Sequence, residues 1–324
     1  MIRIGVLGTA NIATKSIIPA ILELNMDFQL VGVASRSQDK ADELAQLYQL
    51  EPFVGYESIL DKSLIDAVYI PLPNSLHYEW VKKSLDVGLN VLVEKSLANT
   101  YEEVVELCKI AKGRKLALIE NFQFRFHPQF KFILKCISDD VIGDLRYIKS
   151  SFEFPPFSGM NNIRYQKELG GGALLDAGAY PLKVINLILG YDTSVVSAFV
   201  SIDQNLDVDI YGGGMVLNTA TDTFGFMSFG FDNYYQCSLE IHGSKGVIKS
   251  DRIFTAPPDY KPVISIKVSG NPDRSVEVEE GNHFKQMLAY FCKVIKDKTM
   301  QEGEITQNLT QARLLKEFKL KSNG

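Results

Sequence analysis

The chain has 324 residues, 46% of them hydrophobic, and a formal net charge of −5 at pH 7. This length exceeds that of one average domain, so we expect two domains, each with its own packed core. The acidic balance supplies no basic face for phosphate backbones, which excludes a typical nucleic-acid-binding protein.

The first 120 residues alternate short apolar runs with helical stretches. The runs predict strands buried on both faces, at residues 2–7, 29–34, 67–70, 91–93 and 116–119. Helical periodicity lies between them, as at 40–48 and 78–87. Strand followed by helix, repeated, predicts an α/β domain over residues 1–120 with a Rossmann-type, doubly wound parallel sheet.

Residues 121–324 have a different character and predict a second, α+β domain. A helix at 129–137 precedes β-rich stretches at 195–202, 214–218, 223–231, 234–241, 247–250, 263–268 and 275–278. Amphipathic helices follow at 283–296 and 306–319. We expect a large, mainly antiparallel open sheet, with one face covered by a second copy in a homodimer or homotetramer.

The four cysteines and the N-terminus bear on the compartment and on metals. The cysteines are far apart and form no CxxC pair, which argues against a structural zinc site or a disulfide framework: Cys108, Cys136, Cys237 and Cys292. The chain enters a strand at once without a signal peptide, and no apolar run looks long enough to span a bilayer. We expect a cytoplasmic protein without a metal site or a membrane partner.

The turn after the first strand reads Gly8-Thr9-Ala10-Asn11-Ile12-Ala13. A strand before it and a helix after it form the context of the GxGxxG/A fingerprint, in which pyrophosphate lies over a helix N-terminus. Ala10 stands where the middle glycine is usual. We interpret residues 8–12 as cofactor-binding, with a plain chain reversal as the alternative.

The second strand ends in Ser35-Arg36-Ser37 instead of the acid that binds the ribose 2′-hydroxyl of NAD. An arginine flanked by two hydroxyl groups suits a 2′-phosphate. We therefore predict NADP(H) as the cofactor. If Arg36 is an ordinary solvated charge, NAD stays possible.

Further candidates follow the next two major strands, where ligands of such sheets bind. Among them we count as cofactor-binding Pro71, Leu72, Asn74, His77, Glu94 and Lys95. Lys95 would point towards the nicotinamide, although a lysine after a strand is commonly a solvated cap. His77 has a weaker claim, because a lone histidine beside proline is more often packed.

A glycine run, residues 170–172, leads into a predicted helix that carries Asp176 and Tyr180 one turn apart, on one helical face. Hydride transfer to a ketone leaves an alkoxide that needs a proton, and Tyr180 is the best candidate donor. The ammonium group of Lys95 would favour the phenolate and polarise the carbonyl oxygen. Asp176 would hold Lys95 or a sugar hydroxyl, or would simply be a charge at a helix N-terminus.

These motifs together resemble the glucose-fructose oxidoreductase/inositol dehydrogenase (Gfo/Idh/MocA) family over essentially the whole chain. The resemblance implies that Lys95, in the position of a Glu-Lys-Pro lysine, is catalytic. Tyr180 stands where histidine is common, as in branches that reduce nucleotide-linked keto-sugars and in dihydrodiol and pentose dehydrogenases. Ser96 replaces a proline that is often cis, and a serine makes that isomer less favourable, so the peptide geometry there stays open.

Three segments are similar to the sugar-nucleotide 3-ketoreductases: residues 121–128, the Arg164-Tyr165 pair and residues 252–258. We count Arg164 among the cofactor-binding residues. The resemblance implies an NADP(H)-dependent oxidoreductase that reduces a ketone of a nucleotide-linked deoxysugar. The alternatives are a dehydrogenase of a free sugar or dihydrodiol, and a non-catalytic NADP-binding sensor.

Overall fold

The computed structural model describes residues 1–159 and 162–322, which form two compact units. The first unit comprises residues 1–121 and 284–309, and the second comprises the described parts of 122–283 and 310–322. The predicted boundary after residue 120 differs by one residue from the observed one. The prediction also gave 284–309 to the second domain, whereas they pack in the first: the Asn308 amide donates to the Leu118 carbonyl at 3.0 Å.

The first unit contains a six-stranded sheet. Its strands are β1 (Ile2–Leu7), β2 (Phe28–Ser35), β3 (Glu51–Val54), β4 (Ala67–Ile70), β5 (Asn90–Glu94) and β6 (Leu118–Asn121). All pairs are parallel, in the order β3-β2-β1-β4-β5-β6. This confirms the doubly wound sheet. The sequence prediction lacks β3, because this edge strand is mostly exposed and has no apolar run.

Helices flank these strands as the periodicity predicts. They are α1 (Ile18–Glu23), α2 (Gln38–Tyr48), α3 (Asn74–Asp86) and α4 (Tyr101–Arg114). The helix α4 begins with a capping box, in which the Thr100 hydroxyl accepts the Glu103 N–H and the Glu103 carboxylate accepts the Thr100 N–H. A π-helical turn, Ala13–Ile17, precedes α1.

The second unit contains an eight-stranded sheet. Its strands are β7 (Leu145–Glu153), β8 (Thr193–Asp203), β9 (Val208–Asn218), β10 (Thr223–Gly230), β11 (Gln236–Gly243), β12 (Gly246–Ser250), β13 (Val263–Val268) and β14 (Arg274–Glu277). The order is β14-β13-β12-β11-β7-β10-β9-β8, and only the described pair β7 and β10 is parallel. The prediction of a mainly antiparallel sheet is confirmed. The sequence prediction gave no residue bounds for a strand at the position of β7.

Four more helices complete the described chain: α5 (Pro128–Ser138), α6 (Ala179–Leu189), α7 (His283–Lys296) and α8 (Lys298–Ser322). α6 packs on the inner face of the second sheet, where a Cβ on Gly225 would lie 2.6 Å from Ile185 Cγ2. The helical stretch Lys167–Leu189 is long and apolar enough to pass for a membrane span, contrary to the sequence expectation. Its apolar window is 83% buried, so this is a core helix of the unit.

Candidate active site

The glycine turn lies at the carboxyl end of β1, the edge that all parallel strands of the first sheet share. Gly8 has φ +106°, and a Cβ there would lie 2.8 Å from Leu72 Cδ2. The Gly8 N–H donates to the Ala34 carbonyl at 2.8 Å. Residues 9–12 stand around the start of the helix, and all four are at least partly exposed. A bare backbone beside a helix start fits a dinucleotide pyrophosphate.

The loop after β2 presents the predicted 2′-phosphate residues. Ser35 is buried, and its Oγ accepts the Ser37 N–H at 3.2 Å. Arg36 stands between them with an exposed side chain, directly before α2. A guanidinium held at this edge by a short, bonded loop fits a phosphate better than a ribose hydroxyl.

His77 is fully buried and bridges two loops of the same edge. Its Nδ1 lies 2.6 Å from the Ser96 carbonyl and its Nε2 2.7 Å from the Leu72 carbonyl. Burial lowers the pKa of His77 to about 4, against the opposing effect of these two hydrogen bonds. The neutral imidazole donates a hydrogen bond from one ring nitrogen to one of these carbonyls and contacts the other carbonyl with the second nitrogen, so His77 lies between the loops after β4 and β5. The predicted contact of His77 with a cofactor stays a prediction.

Glu94 is the last residue of β5 and Lys95 follows it, as predicted. The Tyr69 hydroxyl donates to Glu94 Oε1 at 2.6 Å and the Asn121 amide donates to the same oxygen at 2.7 Å. Burial raises the pKa of Glu94, while these hydrogen bonds and the positive charge of Lys95 oppose the rise. The positive charge of Lys95 also contributes to lowering the pKa of His77.

The peptide bond between Lys95 and Ser96 is cis, which settles the geometry that the sequence left open. The following residue, Leu97, is hydrogen-bonded to a buried carboxylate: its N–H donates to Glu120 Oε1 at 2.9 Å. Two more predicted residues flank the edge: Pro71 follows β4 and is buried, and Asn74 begins α3.

In the second unit, Tyr180 is the second residue of α6 and is 7% exposed. Its hydroxyl lies 3.4 Å from the Gln123 amide nitrogen and 3.5 Å from the amide oxygen. Four phenylalanine rings surround its own ring, with centroids 4.9 to 6.1 Å away: Phe122, Phe124, Phe152 and Phe254. The phenol thus contacts the Gln123 amide in aromatic surroundings.

Asp176 lies in a π-helical turn, Leu174–Gly178, rather than in the predicted regular α-helix. Its Oδ2 pairs with Arg164 Nε at 2.5 Å, and the Arg164 guanidinium lies 4.4 Å from the centroid of the Phe157 ring. The pair links the glycine-led helix to the 3-10 turn Ile163–Tyr165. The predicted contacts of Arg164 with the cofactor and of Asp176 with Lys95 stay predictions.

Three polar side chains near Tyr180 are absent from the sequence prediction of the site. Gln123 contacts the phenol, and it lies within the segment 121–128 that marked the subfamily. Lys183 is 1% exposed, and its Nζ lies 5.3 Å from the Phe122 ring centroid. The sequence does contain a sign of this residue, because a charged side chain is unusual within an apolar helix. Asp209 accepts the Leu174 N–H at 2.5 Å. No local pattern marks Asp209, because this contact joins residues 35 positions apart.

The four cysteine side chains lie in the interior of the two units. Cys108, Cys136, Cys237 and Cys292 are all buried and form no disulfide. Across residues 1–159 and 162–322, no three histidine, cysteine, aspartate or glutamate side chains are grouped as a metal site requires.

Known proteins resemble both units. Residues 2–122 match the oxidoreductase family with an NAD-binding Rossmann fold, and residues 130–249 match the GFO/IDH/MocA C-terminal domain. A dTDP-3,4-didehydro-2,6-dideoxy-alpha-D-glucose 3-reductase from Actinomadura kijaniata is 35% identical over 97% of this chain and 93% of that protein. D-xylose 1-dehydrogenase (NADP(+)) 2 from Haloferax volcanii is 35% identical over 57% of each chain.

A solved structure agrees with these sequence matches. The 3-ketoreductase from Actinomadura kijaniata in complex with NADP and TDP-benzene superposes with a TM-score of 0.93. That alignment has 32% identity and covers 99% of this chain and 97% of the other. The fold, the motifs at both sites and the matches over both units agree, and this chain belongs to the Gfo/Idh/MocA oxidoreductase family.

Proposed function

We propose that this protein is an NADP(H)-dependent 3-ketoreductase of a nucleotide-linked deoxysugar. The observation that carries the proposal is Tyr180, whose hydroxyl is held by Gln123 among four phenylalanine rings in a chain that aligns with sugar-nucleotide 3-reductases over nearly its full length. A phenol placed in this way can give a proton to an oxygen that gains negative charge.

The carboxyl edge of the first sheet would hold the cofactor. The bare backbone at Gly8 and the exposed residues 9–12 would take the pyrophosphate, and Arg36 with Ser35 and Ser37 would take the 2′-phosphate. NADPH bound there would supply the hydride. His77 connects the two neighbouring loops, since its two ring nitrogens contact the Leu72 and Ser96 carbonyl oxygens.

The chain's own residues would manage charge and proton at the ketone. Tyr180 gives its hydroxyl proton to the former carbonyl oxygen, so that one hydride and one proton convert C=O into CH–OH. Lys95 stabilises negative charge on that oxygen as it develops. Glu94 keeps the end of β5 in place through its hydrogen bonds to Tyr69 and Asn121.

An aromatic path in the second unit suits the nucleotide part of the substrate. The rings of Phe152 and Phe154 are 4.6 Å apart, and that of Tyr235 lies 5.6 Å beyond Phe154. The path begins at Phe152, which contacts Tyr180, and ends at Tyr235, which is 37% exposed. Planar bases stack on such rings, so the path favours a substrate longer than a free sugar.

The test compares NADPH consumption with a dTDP-linked 3-keto deoxysugar and with the matching free sugar. Remote binding energy helps to orient the reacting carbon, so we expect kcat/KM to be at least about a hundredfold higher for the nucleotide-linked form. Equal efficiency with free pentoses or aromatic diols would instead establish the second candidate, a free-sugar or diol dehydrogenase. The D-xylose 1-dehydrogenase of Haloferax volcanii aligns with 57% of this chain, and this alignment supports the second candidate.

If the protein binds NADPH but turns over no sugar or diol, the result would support the third candidate function, a non-catalytic sensor. The reductase would reside in the cytoplasm, where buried thiols such as the four cysteines stay reduced.

A second copy of the chain would cover the outer face of the eight-stranded sheet. Gly225 faces α6, so its neighbours Phe224 and Phe226 face outwards, and Phe226 is 43% exposed. Phe199 and Tyr211 are likewise 58% and 43% exposed. Exposed aromatic side chains on one sheet face favour association. Sedimentation of Phe226→Asp should show smaller particles than the wild type, and an unchanged particle would contradict this assembly.

A further inference from the structure

We propose that Asp209 is a positioning residue for the reduction: its carboxylate fastens the start of the helix that carries Asp176 and Tyr180. The proposal rests on the proposed function of Tyr180 as the proton donor. Asp209 lies on β9, well away in sequence from the segment it contacts.

The carboxylate engages backbone donors that a helix start leaves without partners. Asp209 Oδ2 accepts the Leu174 N–H at 2.5 Å, and the neighbouring Ala173 N–H also interacts favourably with the negative charge of the carboxylate. A negative charge at this end of a helix is further stabilised by the helix dipole. Burial raises the pKa of Asp209, while these N–H bonds and the positive charge of Lys319 oppose the rise.

The glycine run is explained by the same contact. Gly172 has φ +116°, and a Cβ there would lie 2.4 Å from Asp209 Oδ1. A Cβ on Gly171 would lie 2.6 Å from the Arg164 carbonyl. Glycine is needed at both positions because the backbone runs closely between the carboxylate and the loop at 163–166. The run therefore docks the helix start against protein groups on both sides.

The loop on the other side of the run carries the partner of Asp176. The Gly172 N–H donates to the Arg164 carbonyl at 2.9 Å, while the Arg164 side chain pairs with Asp176. Asp209, Gly172 and Arg164 thus form one connected set around the first turn. Tyr180 follows one turn later, and its contact with Gln123 at 3.4 to 3.5 Å is already long. A small shift of the helix start would break it.

Asp209→Asn tests this set with little change in shape. In asparagine an NH2 group replaces one carboxylate oxygen and the negative charge is lost, so the hydrogen bond from the Leu174 N–H is weakened or broken. We expect kcat for the nucleotide-linked ketone to fall at least about tenfold, because small misplacements of a reacting group are costly. The KM and the affinity for NADPH should stay within about twofold of the wild type, since the first unit is unaltered. Asp207→Asn is the matched control: Asp207 is exposed, pairs with Lys167 and lies two residues away on the chain.

A double-mutant cycle separates positioning from general destabilisation. If Asp209 acts through Tyr180, then Asp209→Asn should lower single-turnover rates in the wild type and have little further effect in Tyr180→Phe. Equal factors in both backgrounds, or an unchanged kcat per NADPH-binding site, would overturn the proposal.

Amide hydrogen exchange provides a readout that is independent of activity. The Leu174 amide should exchange slowly in the wild type and faster in Asp209→Asn, but not in Asp207→Asn. A wild-type Leu174 amide that exchanges like an unprotected one would overturn the proposal even if the variant does not fold. If the exchange result holds while no ketone is reduced by the wild type, the proposed function fails and the fastening by Asp209 stands.

Discussion

The two units build their candidate sites in different ways. In the first unit Arg36 and Lys95 follow parallel strands, and strand direction alone brings them to one edge. In the second unit Asp176 and Tyr180 are close in sequence, yet the contacts of their helix come from other segments: Arg164 pairs with Asp176, Gln123 contacts Tyr180 and Asp209 accepts the Leu174 N–H. The first arrangement follows from topology, whereas the second depends on individual long-range contacts.

Two glycines show the same difference. Both Gly8 and Gly172 have positive φ, and in both a Cβ would meet another group at less than 3 Å. At Gly8 that group is the apolar side chain of Leu72, whereas at Gly172 it is the carboxylate of Asp209. Glycine in the first turn lets the backbone pass close to an apolar side chain, and glycine in the second brings the backbone to a protein anion.

The comparison predicts that losing the proton donor of the second unit leaves cofactor binding by the first unit intact. Tyr180→Phe should lower kcat by roughly a hundred- to ten-thousandfold with unchanged NADPH affinity, because a general acid is lost from the second unit only. Lys95→Ala should be at least as damaging, because it removes stabilisation of the developing charge as well. Stopped-flow reduction and fluorescence titration with NADPH measure the two quantities.

Tyr147→Phe is the control variant, because it also removes a tyrosine hydroxyl. Tyr147 stacks on His242 with ring centroids 4.2 Å apart, away from the ring cluster around Tyr180. This control should retain kcat. Near-full turnover by Tyr180→Phe, with chemistry limiting, would show that another group or a water supplies the proton, and His127 would be the next residue to replace.

Acidic pH should lower the free energy of unfolding of both units, because each unit contains at least one buried histidine. The pKa of His77 is about 4 in the fold against an ordinary 6.5, so between these values the unfolded chain takes up a proton that the folded one does not. Stability therefore falls as pH drops from about 6.5 to about 4, by on the order of 3 kcal/mol for this one group. Burial also lowers the pKa of His127 to about 4 and of His283 to about 3.

Urea unfolding at pH 7 and at pH 4.5 measures this loss. His77→Gln should show a smaller difference between the two pH values than the wild type, since one titrating group is removed. An identical difference in both proteins would mean that His77 does not stay neutral in the fold.

Gly172→Ala should reduce stability and Gly270→Ala much less. Both glycines have positive φ, so both substitutions strain the backbone, but only at Gly172 does a Cβ meet an atom, 2.4 Å away. We expect a loss of about 2 kcal/mol or more for Gly172→Ala and about 1 kcal/mol for Gly270→Ala. Equal losses in thermal unfolding would show that the approach of Asp209 is not tight.

Arg36→Ala should produce the smallest effect, confined to the first unit. We expect the wild type to bind NADPH at least about tenfold more tightly than NADH, about 1.4 kcal/mol, and the variant to lose most of that preference. Arg114→Ala, a surface arginine near Asp86, is the control. Equal affinities of the wild type in calorimetric titration would remove the basis for NADP(H).

Local sequence patterns determined much of this protein. Alternating apolar runs and helical periods predicted the parallel sheet and the mainly antiparallel one, and the turns after β1, β2 and β5 predicted where Gly8, Arg36 and Lys95 stand. These features follow from spacing within short windows, where strand and helix periods are visible in the residues themselves.

Tertiary structure decided what links distant segments. Only the fold shows that His77 bridges two loops, that Arg164 pairs with Asp176, and that residues 284–309 pack in the first unit. The fastening of the glycine run by Asp209 is of the same kind. Such contacts join residues 5 to 35 positions apart or more, and their strength comes from burial and hydrogen bonding that arise only once the chain is packed.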